Sequence, residues 1–243
     1  MLLNLVTCAL VIAGGIGFPV IFELPLKHFS WKRQSMHTRV VLSTTFALLL
    51  FGTLLLKLTE SISWLGAFFY SVSARTAGFS TYNLSDFSTA GLLVVSGLMF
   101  IGASPASTGG GIKTTTFFVL LSGIYSAATN HSERAFHNAI PKDAFRKASV
   151  ISMLAVFLVM TASYLMLIFD PQLSLRDVLF EMISAFSTSG LSTGITPQLS
   201  AQSRILSIIM MYIGRLGPLT VASLWYFTIG ERVRYPEGTI AIG

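Results

Sequence analysis

Five stretches of this sequence are apolar for long enough to cross a lipid bilayer, which takes about 20 residues of α-helix. They are residues 2–24, 40–58, 91–126, 148–169 and 205–229. In hydrocarbon every backbone N–H and C=O must bond within the protein, so such runs fold as helices. An all-α polytopic membrane protein is therefore expected. Composition closes off a soluble alternative. Of 243 residues, 53% are hydrophobic and 11% charged, against roughly 25% charged in a soluble domain. So few charges cannot cover a water-facing surface of this size. The net charge of +6 does not indicate nucleic acid, because the basic residues cluster between apolar runs, where the positive-inside rule puts them. The single cysteine, Cys8, leaves no intrachain disulfide and no Cys-based metal site. It reads as a small buried apolar residue. Residues 1–26 have no basic leader and no small-residue cleavage site, so no signal peptide is expected.

The third run is too long for one straight span, and its middle, 102–116, is rich in Gly, Ser and Thr. A broken helix is expected there. Two shorter apolar segments, 62–74 and 175–187, follow the second and fourth runs. Ser174-Leu175-Arg176-Asp177 has the form of a capping box, which marks a helix start. A helix that enters a membrane only halfway must bury its end in protein or line a water-filled cavity with it. Orientation follows from ten basic residues, Lys27, Lys32, Arg33, Arg39, Arg134, Lys142, Arg146, Lys147, Arg232 and Arg234, which share one side of this topology. The other side keeps Lys57, Arg176 and Arg204. The first side is then cytoplasmic, with the C-terminus on it. The N-terminus falls outside, which a missing N-terminal part would explain.

Sliding the chain against itself by 112 residues aligns two units without a gap. Thr76-Ala77-Gly78-Phe79-Ser80-Thr81 falls on Thr188-Ser189-Gly190-Leu191-Ser192-Thr193, and Met99-Phe100-Ile101-Gly102 falls on Met211-Tyr212-Ile213-Gly214. Each unit reads as helix, half-helix, loop, helix. The first run ends in Gly14-Gly15-Ile16-Gly17-Phe18-Pro19, close to Gly214-Arg215-Leu216-Gly217-Pro218, as the last helix of a preceding unit. A half-helix points the negative end of its dipole into the membrane. Gly78 and Gly190 then permit backbone angles other residues resist, so successive carbonyls can face one axis. Rings of carbonyls can replace the hydration shell of a potassium ion. The alternative is a re-entrant loop that only packs the fold.

Two blocks carry a family resemblance. Ala74-Arg75-Thr76-Ala77-Gly78-Phe79-Ser80-Thr81 and Ile101-Gly102-Ala103-Ser104-Pro105-Ala106-Ser107-Thr108-Gly109-Gly110-Gly111-Ile112-Lys113 resemble the third-repeat filter and the following broken helix of the Trk/Ktr/HKT potassium transporters. The second block is most similar to the Ktr ion-translocating subunit. The resemblance implies repeated helix–pore-loop–helix units of potassium-channel type, four around one pore. This chain would hold the last helix of the second unit (1–26), the third unit (27–128) and the fourth (129–243). Potassium would bind at Thr76, Ala77, Gly78 and Phe79 and at Thr188, Ser189, Gly190 and Leu191. The break would be a gating loop beneath the filter, with Gly109, Gly110 and Gly111 letting it move and Lys113 within it. Lys113 could instead snorkel to the cytoplasmic edge. The family's pore arginine falls on Arg215, an electrostatic barrier below the filter. A structural ion pair is the other reading of Arg215. Arg75 reads as a brace for its loop, since a cation in line would repel potassium.

Potassium uptake is thus the leading expectation, with sodium a candidate coupling ion. The alternative is a truncated, non-conducting assembly or regulatory fragment. An intramembrane enzyme is not expected, because no Asp, Glu or His lies inside a predicted crossing except near an end. The four histidines fall in predicted cytoplasmic loops and suggest no metal site. From the resemblance, the partners are the lipid bilayer, a second copy in a homodimer, and a cytosolic nucleotide-binding regulatory ring. Residues 130–147 and the C-terminus are candidate docking surfaces, and anionic headgroups suit the same cations. No nucleic acid is expected.

Overall fold

The computed structural model describes residues 1–129, 134–136, 138–218 and 220. The fold is almost wholly helical. Helix α1 covers Leu2–Ile16 and α2 covers Phe18–Leu26. Then come α3 (Met36–Thr59), α4 (Trp64–Ser73), α5 (Thr89–Phe100) and α6 (Thr114–Thr129). A two-residue hairpin, Arg134–Ala135 with Asn138–Ala139, leads to α7 (Lys142–Phe169), α8 (Leu175–Ser187) and α9 (Ala201–Leu216). Short 3₁₀ turns at Leu84–Asp86 and Thr196–Gln198 precede α5 and α9. These turns lie 112 residues apart, and so do the first residues of α5 and α9. Among the described residues, α3 and α7 are each long and apolar enough to cross a membrane, and α5 and α6 are shorter apolar helices.

The first expected crossing, 2–24, is not a single helix. It divides at Gly17 into α1 and α2, which meet at 95°. Gly17 has φ +90°, open to glycine at little cost. Pro19 follows, and its ring cannot continue a helix across the bend. A β-carbon at Gly17 would lie 2.7 Å from the Pro105 carbonyl oxygen, so the bend admits another segment of backbone. The expected run 91–126 is likewise interrupted, with 101–113 running irregularly between α5 and α6. The fifth, 205–229, continues past the described residues. Its described part is α9, which ends at Gly217 with φ +91°, matching Gly17.

Helix starts are set by serine. Ser35, Ser63, Ser88, Ser174 and Ser200 each cap the helix that follows, the hydroxyl accepting an N–H of the first turn. Three caps are clamped by a carboxylate from an earlier segment. Glu23 takes the Ser35 N–H at 2.7 Å and its hydroxyl at 2.6 Å. Glu60 takes the Ser88 N–H at 2.9 Å and hydroxyl at 2.6 Å. Asp170 takes both groups of Ser200 at 3.0 Å. The clamps fix the start of α3 to α2, the start of α5 to the end of α3, and the start of α9 to the end of α7.

Two large cores fill most of the interior among the described residues. One gathers Leu56, Tyr70, Leu92, Val95, Met99 and Phe180, the other Val159, Met166, Val178, Met182, Phe186 and Met210. Helix α5 joins them by packing on α8, where the Phe100 and Phe186 rings are 6.0 Å apart. Lipid tails are as apolar as leucine, so close packing and hydrogen bonds set this arrangement rather than escape from water. Small residues allow it. A β-carbon at Gly52 would meet Ser71 Oγ at 2.5 Å, and one at Gly214 would meet the Phe186 carbonyl oxygen at 1.7 Å.

The Asp170 clamp predicts a pH dependence. Its carboxyl titrates below its ordinary value of 3.8, lowered most by the Ser203 hydroxyl, opposed by burial, and lowered further by the Ser200 N–H and hydroxyl. A depressed folded-state pKa gives stability that is present above the unfolded pKa and lost as pH falls through the folded one. Asp170→Ala should lower the melting temperature at pH 7 by about 2–4 °C. That gap should close as the pH is taken below 3.8. Thermal melts of the two proteins in detergent at pH 7 and pH 3 check both statements.

Candidate functional site

Helices α4 and α8 are both short, and both run out into the loops singled out by sequence. Their ends are built alike. Thr76 has φ +84° and Gly78 +74°, while Thr188 has φ +54° and Gly190 +84°. Left-handed residues two apart rotate the peptide planes between them, so carbonyls that would point down a helix are turned aside. For threonine this costs about 1–3 kcal/mol, which the surroundings must supply.

The two loops meet. A β-carbon on Gly78 would lie 2.3 Å from the Ser189 carbonyl oxygen and 3.3 Å from Gly190 Cα. Glycine is therefore required at residue 78 twice, by its backbone angle and by a neighbouring backbone. On one side of the loops is a polar cavity of about 160 Å³, lined in part by Gly78, Ser80, Asn83, Gly190, Ser192 and Thr193. Ser189 and Leu191 are buried, Gly190 and Phe79 exposed, and Thr76 and Thr188 half-buried.

Residues 101–113 pack directly against the start of both loops. A β-carbon on Gly109 would meet Thr76 Oγ1 at 2.4 Å. One on Gly110 would meet Thr188 Oγ1 at 2.7 Å and the Ser187 carbonyl oxygen at 2.8 Å. Gly111 has φ +71°. The segment is tied to the α1–α2 bend. The Ser104 N–H donates to the Gly15 carbonyl at 3.1 Å, its hydroxyl reaches the same carbonyl at 2.7 Å, and Ala106 accepts from the Phe18 N–H at 3.3 Å. Two cations also hold it. Lys113 Nζ donates to the Gly109 carbonyl at 2.5 Å, and the Arg215 guanidinium donates to the Thr108 carbonyl. Among the described residues, neither cation is paired with a carboxylate.

The residues predicted from sequence thus come together as two contacting loops, a glycine-rich segment against them, and Lys113 and Arg215 on that segment. Arg75 is buried, and its guanidinium lies 3.5 Å from the Gly102 carbonyl oxygen. Asp86 is exposed, and its carboxylate accepts from the Ser85 hydroxyl at 3.4 Å. His131 and His137, and Arg232 and Arg234 of the C-terminus, lie outside the described residues, as does part of the 130–147 loop. No cluster of potential metal ligands occurs among the described residues.

Sequence reasoning missed the residues that brace the loops. The Tyr70 hydroxyl accepts from the Tyr82 N–H at 2.9 Å and donates to the Tyr82 carbonyl. Ser73 Oγ donates to the Phe79 carbonyl at 2.5 Å. Ser189 Oγ donates to Met99 Sδ at 2.9 Å, joining one loop to α5. Glu181, buried in α8, accepts from Thr196 Oγ1 at 2.6 Å. The usable signal for Glu181 was a carboxylate in the middle of a short apolar segment, a costly placement that marks function by default.

Comparisons with known proteins agree with this architecture. A family model described as a cation transport protein, TrkH, matches residues 36–228. The Ktr system potassium uptake protein B of Vibrio alginolyticus is 36% identical over 262 residues, covering 100% of this chain and 56% of that protein. The protein of the same name from Bacillus subtilis (strain 168) is 34% identical, covering 99% of this chain and 56% of its own length. The potassium/sodium uptake protein NtpJ of Enterococcus hirae is 32% identical over 99% of this chain and 57% of its own length. The chain therefore spans a little over half the length of these relatives. In fold it is similar to the crystal structure of the potassium transporter TrkH from Vibrio parahaemolyticus, with TM-score 0.75 and 17% identity over 92% of this chain and 52% of that one. With its apolar helices and these matches across nearly all of its length, the chain belongs to the TrkH family of cation transport proteins.

Proposed function

We propose that this chain supplies two adjacent quadrants of a potassium-uptake pore, with Thr76–Phe79 and Thr188–Leu191 as filter segments and 103–113 as an intramembrane gate. The observation that carries this reading is the approach of Gly78 to the Ser189 carbonyl, which sets two equivalent loops edge to edge. A loop that only packed the fold would have no need of a second one against it. The filter offers carbonyls and hydroxyls and no fixed charge, so a monovalent cation can leave as well as enter.

The gate reading rests on Gly109 and Gly110, whose missing side chains let 103–113 lie against Thr76 and Thr188. Lys113 and Arg215 hold the carbonyls of Gly109 and Thr108 and bring positive charge to this end of the filter. That charge opposes a cation leaving the filter. Both readings extend to the assembly. The chain sits in the cell membrane with its C-terminus cytoplasmic, pairs with a second copy, and rests on a cytosolic nucleotide-binding ring subunit. Sodium is a candidate coupling ion, supported by the Enterococcus hirae relative, which is named a potassium/sodium uptake protein. The rival reading, a non-conducting assembly fragment, has no structural observation of its own.

Potassium uptake in a potassium-uptake-deficient cell tests the proposal, with this chain alone and beside the N-terminal half of a Ktr subunit. Failure of both, with the chain present in the membrane, would overturn it. Gly78→Ala should lower potassium-over-sodium preference about tenfold, a loss of ~1.4 kcal/mol of discrimination. Unchanged preference at wild-type expression would sink the filter assignment. Deleting Gly109 to Gly111 should raise flux, read as rubidium uptake per transporter, and an unaltered flux would remove the gate. Arg215→Ala should also raise flux. A loss of folded protein with normal flux per molecule would make Arg215 structural instead.

A further inference from the structure

The two filter loops are equivalent in backbone but are held by different chemistry. In the first, Tyr70 bonds both backbone groups of Tyr82, and Ser73 bonds the Phe79 carbonyl. At the positions matching Tyr70 and Ser73 in the second, 112 residues on, stand Met182 and Ala185, whose side chains can make none of these bonds. The carboxylate of Glu181 stands where the first unit has Phe69.

From Glu181 a chain of hydrogen bonds leads outward. Thr196 Oγ1 donates to Glu181 Oε1 at 2.6 Å. That uses the only proton on the Thr196 hydroxyl, so in the 2.8 Å contact between Thr196 and Ser192 the serine must donate. Ser192 Oγ in turn accepts from the Gly194 N–H at 3.0 Å. All three bonds run one way and end on the carboxylate. Such a chain is strengthened cooperatively by a charged terminal acceptor. The Gly194 N–H satisfied here matches the Tyr82 N–H satisfied by Tyr70 in the other loop, so two different devices fix the same backbone group. Arg204 of α9 donates to the Pro197 carbonyl at 3.0 Å and pins the 3₁₀ turn from its other side.

We infer that Glu181 is a positioning residue for ion selectivity, the terminal acceptor that holds the second filter loop through Thr196 and Ser192. The inference rests on the proposed filter reading. Glu181 does not touch the ion on this view. It acts on Ser192, the residue that follows Leu191. It is buried and, among the described residues, unpaired with any cation; its Oε1 holds Thr196 while its Oε2 has no hydrogen-bond partner.

The test measures potassium-over-sodium preference in the expression arrangement that conducts, together with the rise in melting temperature of the purified protein on replacing NaCl by KCl. Glu181→Ala and Thr196→Val should each cut the preference about tenfold. Each should also abolish the potassium-specific rise in melting temperature, which a merely structural role would leave in place. The double variant should be no worse than either single one, because both break the same chain. Glu181→Gln keeps an acceptor oxygen and should recover most of the preference. Wild-type preference in Glu181→Ala or in Thr196→Val, or additive losses in the double variant, would overturn the inference. Gly190→Ala separates the two levels. If it lowers the preference while the Glu181 and Thr196 variants do not, the brace fails and the filter stands. If it too has no effect, the filter reading itself fails. Should Glu181→Ala not fold, Thr196→Val decides alone, since it alters an exposed turn.

Discussion

A helix interrupted inside a bilayer frees N–H and C=O groups that have no water to bond. Two such interruptions among the described residues satisfy each other. The bend at Gly17 leaves the last carbonyls of α1 open. Those of Gly14 and Gly15 accept from the N–H groups of Thr108 and Ser104, and that of Ile16 from the Ser104 hydroxyl. The irregular stretch between α5 and α6 is in turn ordered by those bonds. Neither break would be tolerable alone, at several kcal/mol for each unsatisfied group. Motion of 103–113 therefore means exchanging bonds with α1, and the end of α1 belongs mechanically to the proposed gate.

Close approach is the second constraint. At Gly78, Gly109, Gly110 and Gly214 a single β-carbon would enter space held by another segment, and at three of these that space is backbone. Side chains can rotate away from a clash, whereas backbone held by its own hydrogen bonds cannot. Loop meets loop at Gly78, the irregular segment meets both loops at Gly109 and Gly110, and α9 meets the end of α8 at Gly214. Four absent side chains thus set the spacing of the proposed filter and gate. Few of these contacts involve large apolar groups, in keeping with packing in lipid, where burial of apolar surface gains little.

Much of this was legible in the sequence. The Ser174 cap, the half-length helices and the two Thr-x-Gly loops depend on local chemistry, and local chemistry is written in short spacings. Helix α8 begins and ends where its capping serine and the following Thr-Ser-Gly predict. The bend at Gly17 was not legible. Its run is apolar throughout, hydropathy does not register direction, and Gly17-Phe18-Pro19 becomes a right-angle turn only because residues 104–106 fill it. Glu181 was missed for a similar reason. Its partner, Thr196, lies beyond the loop that the pair braces, so the pairing exists only once the loop has folded. Tyr70 and Tyr82 share that property.

Lys113 and Arg215 show how charge is accommodated at this depth. Each is bonded to a carbonyl of the same short segment, at Gly109 and Thr108, rather than to a carboxylate. A carbonyl that holds a cationic side chain is not free to hold a passing ion. On the proposed gate reading, the segment would block twice, by its bulk against Thr76 and Thr188 and by having two of its carbonyl oxygens occupied. Withdrawing it from the loops either carries both cations with it or breaks two charge-assisted bonds. In the first case the positive charge leaves together with the obstruction. In the second the carbonyls of Gly109 and Thr108 are freed while the cationic charge stays behind. In the proposed gate, a displacement of the first kind would therefore lower the steric and electrostatic barriers together.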